Sequence, residues 1–152
     1  MSSADVIKGL NGLLADSVVF YHKLHNYHWN VRGPGFFTLH EVFEKLYTEW
    51  ATVSDDLAER VLALGSTPLP TLAAVLEHAS LGEETGSPNA EGMVASVLQD
   101  LTAQRDRMLA VSEVAQASGD KTTENLLDDF IDAIAKHAWM MSAYLDKTTN
   151  QS

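Results

Sequence analysis

Residues 38–64 have the sequence TLHEVFEKLYTEWATVSDDLAERVLAL. This stretch gives the first helix of the predicted fold. Its apolar side chains recur at spacings of three and four residues, the spacing of one face of an α-helix; they are Leu39, Phe43, Leu46, Trp50, Val53, Leu57, Val61 and Leu64. Thr38 and Glu41 fit a capping box at the start, and Gly65 fits a helix end. The stretch predicts one long amphipathic helix from about Thr38 to Leu64.

A second helix is predicted on the N-terminal side, from about Ser3 to Val31. Its face is marked by residues at the same helical spacing, namely Ile7, Leu10, Leu14, Val18, Tyr21, Leu24 and His28. The turn sequence Gly33-Pro34-Gly35 ends this helix.

Two more long helices are predicted near the C-terminus. One covers about Ala90 to Ser118 and is broken by Gly119; its inward residues are Val94, Val97, Leu101 and Met108. The other covers about Thr122 to Leu145, with inward residues Leu127, Phe130, Ile134, Met141 and Leu145.

The middle connection is long. It contains Pro68-Leu69-Pro70, a short helix over about Thr71 to Ala79, and a polar loop over 82–92. No segment alternates polar and apolar residues as a strand would, so no sheet is predicted. Four long helices and one long crossover predict an all-α protein with a ferritin-like four-helix bundle, whose crossover between helices two and three carries the short extra helix. Residues 1–152 are expected to form a single domain.

Composition excludes several classes of function. The 152 residues include no cysteine, which removes disulfides, thiolate metal sites and thiol nucleophiles. Neither a signal-like N-terminus nor an apolar run of membrane-spanning length occurs, so a cytoplasmic protein without a membrane partner is expected. The formal net charge of −11 disfavours DNA and anionic membranes and attracts cations, although it also fits simple solubility.

The candidate metal ligands lie on a polar arc of the helix over 38–64. At about 100° per residue, His40, Glu44, Asp55 and Glu59 fall near 0°, 40°, 60° and 100° around the axis, well away from the apolar stripe. Imidazole and carboxylate ligands together suit iron, manganese or zinc. The alternative is that these acids are simply solvated and that His28 is an ordinary core histidine.

The reach of the ligands decides how such a site could form. Glu44 and Asp55 are separated by about 16 Å of helix rise, whereas metal–ligand bonds are about 2 Å long. One chain cannot bring both to one ion, but two antiparallel copies related by a two-fold axis could, with His28 completing each site. No Glu-x-x-His pair occurs in the sequence, so the usual intrachain di-iron site of ferritin-like bundles is not expected.

Several segments resemble the Dps family of miniferritins. They are HWNVRG at 28–33, FFTLHE at 36–41, Asp55, AER at 58–60, LG at 64–65 and KHAWMM at 136–141. The resemblance implies a hollow homo-oligomer of twelve subunits with ferroxidase sites between two-fold-related subunits. It also implies the ligands: His28, His40 and Glu44 from one subunit and Asp55 and Glu59 from the other, holding two irons. Many members have aspartate where Glu44 stands.

The same resemblance implies an activity. Family members oxidise Fe(II), usually with hydrogen peroxide in preference to dioxygen, and store ferric mineral, which protects against oxidative stress. Trp29 would lie beside the iron site and could donate an electron, although an aromatic packing role is equally consistent with its position.

Two further traits follow from the family comparison. Family members have acidic three-fold pores, for which Asp120, Glu124, Asp128 and Asp129 are candidates here; helix N-terminal acids are the alternative interpretation. DNA-binding members use basic tails, whereas here no basic residue precedes Lys8 and the C-terminal tail offers only Lys147. We therefore expect no direct DNA binding.

Overall fold

The computed structural model describes residues 3–146, which form five helices joined by turns and loops. In chain order the helices are α1 (Ser3–Asn30), α2 (Phe36–Ala63), α3 (Leu72–His78), α4 (Ala90–Ala117) and α5 (Lys121–Leu145). No strand occurs between residues 3 and 146. The prediction of a ferritin-like bundle with a short helix in the crossover is confirmed.

The long helices pack as two hairpins laid against each other. The most extensive contacts join α1 to α2 and α4 to α5, and α1 also contacts both α4 and α3. The predicted stripe of α2 is buried from Leu39 to Val61. Trp50 lies at the centre, edge-on to Phe20 at 4.9 Å, and its indole N–H donates to Gln104 at 2.9 Å. Burying each such large side chain contributes about 1.5–3 kcal/mol, so this stripe holds the bundle together.

Two local predictions were wrong. Helix α2 begins at Phe36 with Gly35 as its N-cap and has no side-chain cap, so Thr38 lies inside the first turn and forms no capping box. The cause is the chain reversal at Gly33, whose φ of 100° lets its carbonyl accept from the Phe36 amide at 3.0 Å. The helix therefore starts as soon as the reversal is complete.

The buried face of α1 also differs from the predicted stripe. Three of the predicted residues are only half-buried: Ile7, Val18 and Tyr21. The fully buried large side chains include Leu10 and Leu24 of the predicted stripe, but also Leu13, Phe20 and Tyr27, which lie outside it. Helix α1 contacts three other helices, so it buries a broader arc than a helix with one apolar side.

Buried polar pairs fix the crossover and the second hairpin to α1. Asp16 is 1% exposed; it accepts from the backbone amides of Ser80 and Leu81, at 2.7 and 3.1 Å, and from Arg107 at 2.6 Å. Lys23 and Asp100 form an ion pair of 2.8 Å between α1 and α4. Buried charges are tolerated only when they are paired in this way. No helix within residues 3–146 has the length and apolar character needed to cross a membrane.

Candidate metal centre

Two histidines meet where α1 ends and α2 begins. His28 is the third-last residue of α1 and His40 lies in the second turn of α2, and the reversal between the helices stacks their rings at a centroid distance of 3.7 Å and an interplanar angle of 14°. His28 is 8% exposed, and His40 is half-buried. The stacking fixes both rings in one orientation.

Hydrogen bonds to the backbone then fix the tautomer of each ring. Nδ1 of His28 lies 2.7 Å from the carbonyl oxygen of His40, and Nδ1 of His40 lies 2.7 Å from the carbonyl oxygen of His28. Because a carbonyl oxygen only accepts, both Nδ1 atoms carry the proton. In each neutral ring Nε2 is left with a lone pair, the form in which histidine binds a metal ion.

Glu44 completes a group of three donors on this chain. Its carboxylate oxygen lies 3.8 Å from Nε2 of His28 and its side chain is 56% exposed. One donor atom each from His28, His40 and Glu44 lies within 4.8 Å of the other two. The structure therefore brings together three of the five ligands predicted from the sequence.

A second group lies further along α2. Asp55, Asp56 and Glu59 each offer a carboxylate oxygen, and these oxygens lie within 4.8 Å of one another. Asp55 and Glu59 are exposed. Because α2 is one continuous helix, these acids lie about 16–22 Å of rise beyond Glu44 and do not reach the histidines of their own chain.

Asp56 was missed in the sequence analysis. It lies about 100° further around the helix than Asp55, outside the narrow arc on which the prediction depended. It is half-buried, unlike its two neighbours in the group. The sequence signal for Asp56 was its position directly after Asp55. Helical periodicity alone places the second of two adjacent acids on a different face of the helix.

Aromatic and imidazole rings surround the histidine pair. Tyr47 lies edge-on to His28 at 5.3 Å and is stacked on His25 at 3.7 Å. Partial burial, followed by the charge of Glu44, raises the pKa of Tyr47. Partial burial, followed by the charges of His28 and His22, lowers the pKa of His25, so the ring of His25 is biased towards its neutral form.

Trp29 lies at the outer edge of this group of rings. Its side chain is 61% exposed, and its indole ring contacts His25 at 5.2 Å and His22 at 6.1 Å. Its packing within the subunit is therefore slight, in contrast to Trp50, which is 1% exposed. Trp139 is 66% exposed as well, so it is not part of the core of the single chain.

The four pore candidates have different environments. Asp120 is the N-cap of α5; it accepts from the backbone amide of Thr123 at 3.1 Å and from Arg60 at 2.9 Å. Burial pushes the pKa of Asp120 up, but the hydrogen bonds from Thr123 and the charge of Arg60 outweigh it and the pKa is lowered. The contacts of Asp120 match the interpretation of this residue as an acid at a helix N-terminus. Glu124 is half-buried and Asp128 and Asp129 are exposed, and their role in a pore stays a prediction.

The donor set limits the metals that the histidine group could bind. Two imidazole nitrogens and one carboxylate oxygen, without sulfur, suit iron, zinc or manganese. Three protein ligands leave coordination positions open, as in sites where a metal reacts rather than sites where it only stabilises a fold. On one chain the group therefore offers three protein donors, and a bound metal ion would have further coordination positions to fill.

Comparisons with known proteins agree with the observed fold. The family model described as a ferritin-like domain matches residues 7–150. The DNA protection during starvation protein of Brevibacillus brevis is 48% identical over 137 residues, which cover 90% of this chain and 92% of that protein. The crystal structure of a Dps protein from Bacillus brevis superimposes with a TM-score of 0.93 at 47% identity, covering 94% of this chain and 96% of that one. A Dps protein from Vibrio cholerae, described as a member of the ferritin-like diiron-carboxylate superfamily, gives a TM-score of 0.91 at 34% identity, with 94% and 90% covered.

Proposed function

Because this chain belongs to the Dps family of the ferritin-like superfamily, we propose that it is a ferroxidase and iron-storage subunit that protects against oxidative stress. The observation that carries the proposal is the His28–His40 pair, in which both Nε2 atoms are free and the carboxylate of Glu44 is close to one of them. Fe(II) is the substrate of this site. Ferric mineral in the interior of a cage is the product.

The proposal requires a second copy of the chain. Asp55 and Glu59 are exposed and aligned on α2, so an antiparallel α2 from a two-fold-related subunit would present them to the histidine group. Two equivalent sites would form per dimer, each holding two irons between His28, His40 and Glu44 of one subunit and the acids of the other. We infer that such dimers assemble further into a twelve-subunit cage.

The chemistry follows from holding two ferrous ions together. Two Fe(II), one hydrogen peroxide and two protons give two Fe(III) and two waters, so the peroxide is reduced by two electrons without release of a hydroxyl radical. Neutral imidazoles and ionised carboxylates bind both metal ions, and the carboxylates favour Fe(III) once it forms. Dioxygen is the alternative oxidant.

Protection of DNA would then be indirect. Relatives bear the name DNA protection during starvation protein. A formal charge of −11 per subunit repels phosphate, so we propose that this protein acts in the cytoplasm by removing iron and peroxide rather than by coating DNA.

The stoichiometry of the reaction tests this function. Purified protein would be loaded anaerobically with Fe(II), mixed with hydrogen peroxide, and assayed for Fe(II) lost per peroxide consumed and for hydroxyl radical by spin trapping. We expect two Fe(II) per peroxide and little radical. The double variant His28→Ala/His40→Ala should lose this reaction, whereas His78→Ala, which removes an exposed imidazole on α3, should keep it. Iron oxidation by the double variant at the wild-type rate would overturn the proposal.

A further inference from the structure

Two large apolar side chains are exposed near the two ends of α2. Phe37, in the first turn, is 83% exposed, and Leu62, in the last turn, is 56% exposed. The other large apolar side chains along α2, from Leu39 to Val61, are mostly buried in the bundle. Single exposed apolar residues are common on protein surfaces, so the meaning of these two depends on where they lie.

Both side chains lie on the arc of α2 that carries the metal donors. At about 100° per residue, and with His40 at 0°, Phe37 falls near 60° and Leu62 near 40° around the axis. Glu59 marks the other edge of the arc, near 100°. The face of α2 that offers metal ligands therefore has one large apolar residue at each end.

The metal donors determine how two such faces can meet. A shared site requires His40 of one subunit to lie opposite Glu59 of the partner subunit on an antiparallel α2. Phe37 comes three residues before His40, and Leu62 comes three residues after Glu59. Because the two helices run in opposite directions, both steps lead the same way along the pair. Phe37 of one subunit therefore lies opposite Leu62 of the partner subunit.

We propose that Phe37 of one subunit packs on Leu62 of the partner subunit and that this contact, called here the apolar clamp, fixes the register in which the two halves of each metal site meet. The inference rests on the proposed function, since the shared site sets the antiparallel direction. The occupant of the exposed face is a second copy of this chain. Two-fold symmetry gives two clamps per dimer, each about one helical turn from a metal site.

The middle of the same face has small side chains. Thr48 and Ala51 are both exposed, and in this register Thr48 of one subunit lies opposite Ala51 of the partner subunit. Helices whose contact residues are small can approach to an interaxial distance of about 8 Å. The face is therefore narrow at its centre and apolar at both ends, which is the shape that a helix pair with two clamps requires.

Charge and apolar pairing disfavour the other arrangements. Parallel helices would place Asp55 and Glu59 against the same acids of the partner subunit, and like charges repel. An antiparallel pair shifted by one turn in one direction would place Glu44 opposite Glu59 and would move Phe37 beyond the end of the partner helix. The opposite shift would place Phe37 against Ala58 and leave the clamp unfilled.

Ring contacts connect the clamp to the histidine pair. The ring of Phe37 meets that of Phe36 edge-on at 5.3 Å, and Phe36 stacks on His40 at 5.0 Å with an interplanar angle of 23°. Packing of Leu62 from the partner subunit on Phe37 covers the outer side of this stack. Water is thereby excluded from one end of the site, where a metal ion interacts more strongly with its carboxylate ligands than it would in bulk solvent.

Cysteine cross-linking tests the register, because the sequence has no cysteine of its own. The double variant Phe37→Cys/Leu62→Cys, assembled and free of iron, would be treated with a short bismaleimide and run on a denaturing gel. We expect covalent dimers in high yield. The two positions are about 37 Å apart along the continuous α2, so a link within one chain is excluded.

The two single variants are the controls for this experiment. In the proposed register, the two copies of Phe37 in a dimer are also about 37 Å apart, and so are the two copies of Leu62. Phe37→Cys alone and Leu62→Cys alone should therefore give few dimers. Equal yields from the single and double variants, or no dimer from the double variant, would overturn the proposal.

Introduced charges test whether the two positions face each other. Phe37→Lys and Leu62→Glu should each raise the dissociation constant of the dimer by at least about 10-fold, because each places an unpaired charge against an apolar side chain. The double variant should recover most of the lost affinity, since the ammonium and the carboxylate then meet. Sedimentation velocity over a dilution series measures this. A double variant that dissociates as readily as the weaker single variant would contradict the clamp.

Matched controls place the same charges one residue away. Thr38→Lys and Ala63→Glu alter exposed residues of α2 that lie outside the arc, and they should dissociate as the wild type does. Phe37 and Leu62 are exposed in the single subunit, so their variants should keep the helix content of the wild type by circular dichroism. Losses of the same size in the control variants would overturn the proposal.

The cross-linking result also separates failure of the clamp from failure of the proposed function. Covalent dimers of the double cysteine variant, together with wild-type protein that oxidises no iron, would support the clamp and remove the proposed function. Iron oxidation by the wild type, together with a double cysteine variant that gives no dimer, would overturn the clamp and keep the proposed function.

Discussion

The tautomers of His28 and His40 are set by two carbonyl groups of the main chain. Each Nδ1 donates to the carbonyl of the other residue, so both free nitrogens are held in position before any metal arrives. Such preorganisation removes the cost of orienting a ring at the moment of binding. Main-chain acceptors are also insensitive to most side-chain substitutions, which makes the pair robust.

Glu44 gives the clearest prediction for a single residue. Glu44→Gln keeps the length of the side chain but removes its charge, so we expect the affinity for Co(II), as a spectroscopic substitute for Fe(II), to fall by about 10–100-fold. Glu44→Asp keeps the charge and should fall much less. Calorimetric titration of both variants would measure this.

The matched control for Glu44 is Glu41→Gln. Glu41 lies one turn earlier on α2 and is paired with Lys45 at 3.3 Å on the exposed surface. Its substitution should leave Co(II) affinity unchanged. Equal affinities for Glu44→Gln and the wild type would exclude Glu44 as a ligand.

Helix α5 starts at a junction that couples it to α2. Asp120 caps α5 and pairs with Arg60, one residue beyond the Glu59 predicted to bind metal. We expect Asp120→Ala to lower the free energy of unfolding by about 1–2 kcal/mol, because it removes an N-cap and an ion pair. Urea denaturation at one protein concentration would measure it, since the proposed assembly would also contribute to stability.

The pH dependence at this junction has a defined sign. The pKa of Asp120 is lower in the folded than in the unfolded chain, so its charge stabilises the fold above the unfolded pKa, and this contribution is lost as pH falls through the folded pKa. Asp120→Asn keeps a capping group without the charge. Its stability deficit should be largest near neutrality, begin to shrink below about pH 4, and vanish only when the pH is below the folded pKa. A stability deficit of Asp120→Asn that grows as the pH falls would contradict this assignment. Asp128→Asn serves as the control, because Asp128 is an exposed residue on the same helix.

At the scale of the whole molecule, the proposed function requires two copies of the chain at each site, and mixed assemblies of two variants test this. Subunits with His28→Ala/His40→Ala lack one half of the site, and subunits with Asp55→Ala/Glu59→Ala lack the other. Each variant alone should be inactive. Unfolding and reassembling them as an equal mixture should restore about one quarter of wild-type iron oxidation, because half of the dimers are mixed and one of their two sites is intact.

This complementation has a decisive negative outcome. Activity that stays absent in mixed cages, after native mass spectrometry has shown that mixed dimers formed, would exclude shared sites. Mixed cages of wild-type protein with either variant provide the control for losses during reassembly.

The charge of the assembled molecule determines its behaviour towards DNA. With −11 per subunit, a cage of any size repels phosphate, so we expect no shift of duplex DNA in a gel at about 0.15 M salt. A gel shift that persists when salt is added would show that the protein has a DNA-binding surface despite its negative net charge. Lys147 and the other tail residues lie outside the described part of the chain, so a variant truncated after Asp146 tests their contribution.

Sequence periodicity determined the fold class. The geometry of a helix also showed which candidate ligands one chain cannot bring to the same ion. The spacing of apolar residues from Leu39 to Val61 predicted α2 and its buried face, because a helix that packs on one side repeats its contacts every 3.6 residues. The rise of 1.5 Å per residue likewise showed that Glu44 and Asp55 cannot share an ion within one chain.

Only the tertiary structure decided the details that depend on contacts between separate segments. Which nitrogens of His28 and His40 are free, how Tyr47 and His25 stack, and why α1 buries a broader arc than its stripe all arise where helices meet. Periodicity describes one helix at a time. The distance between rings on α1 and α2 is set instead by the reversal at Gly33 and by the packing of the whole bundle.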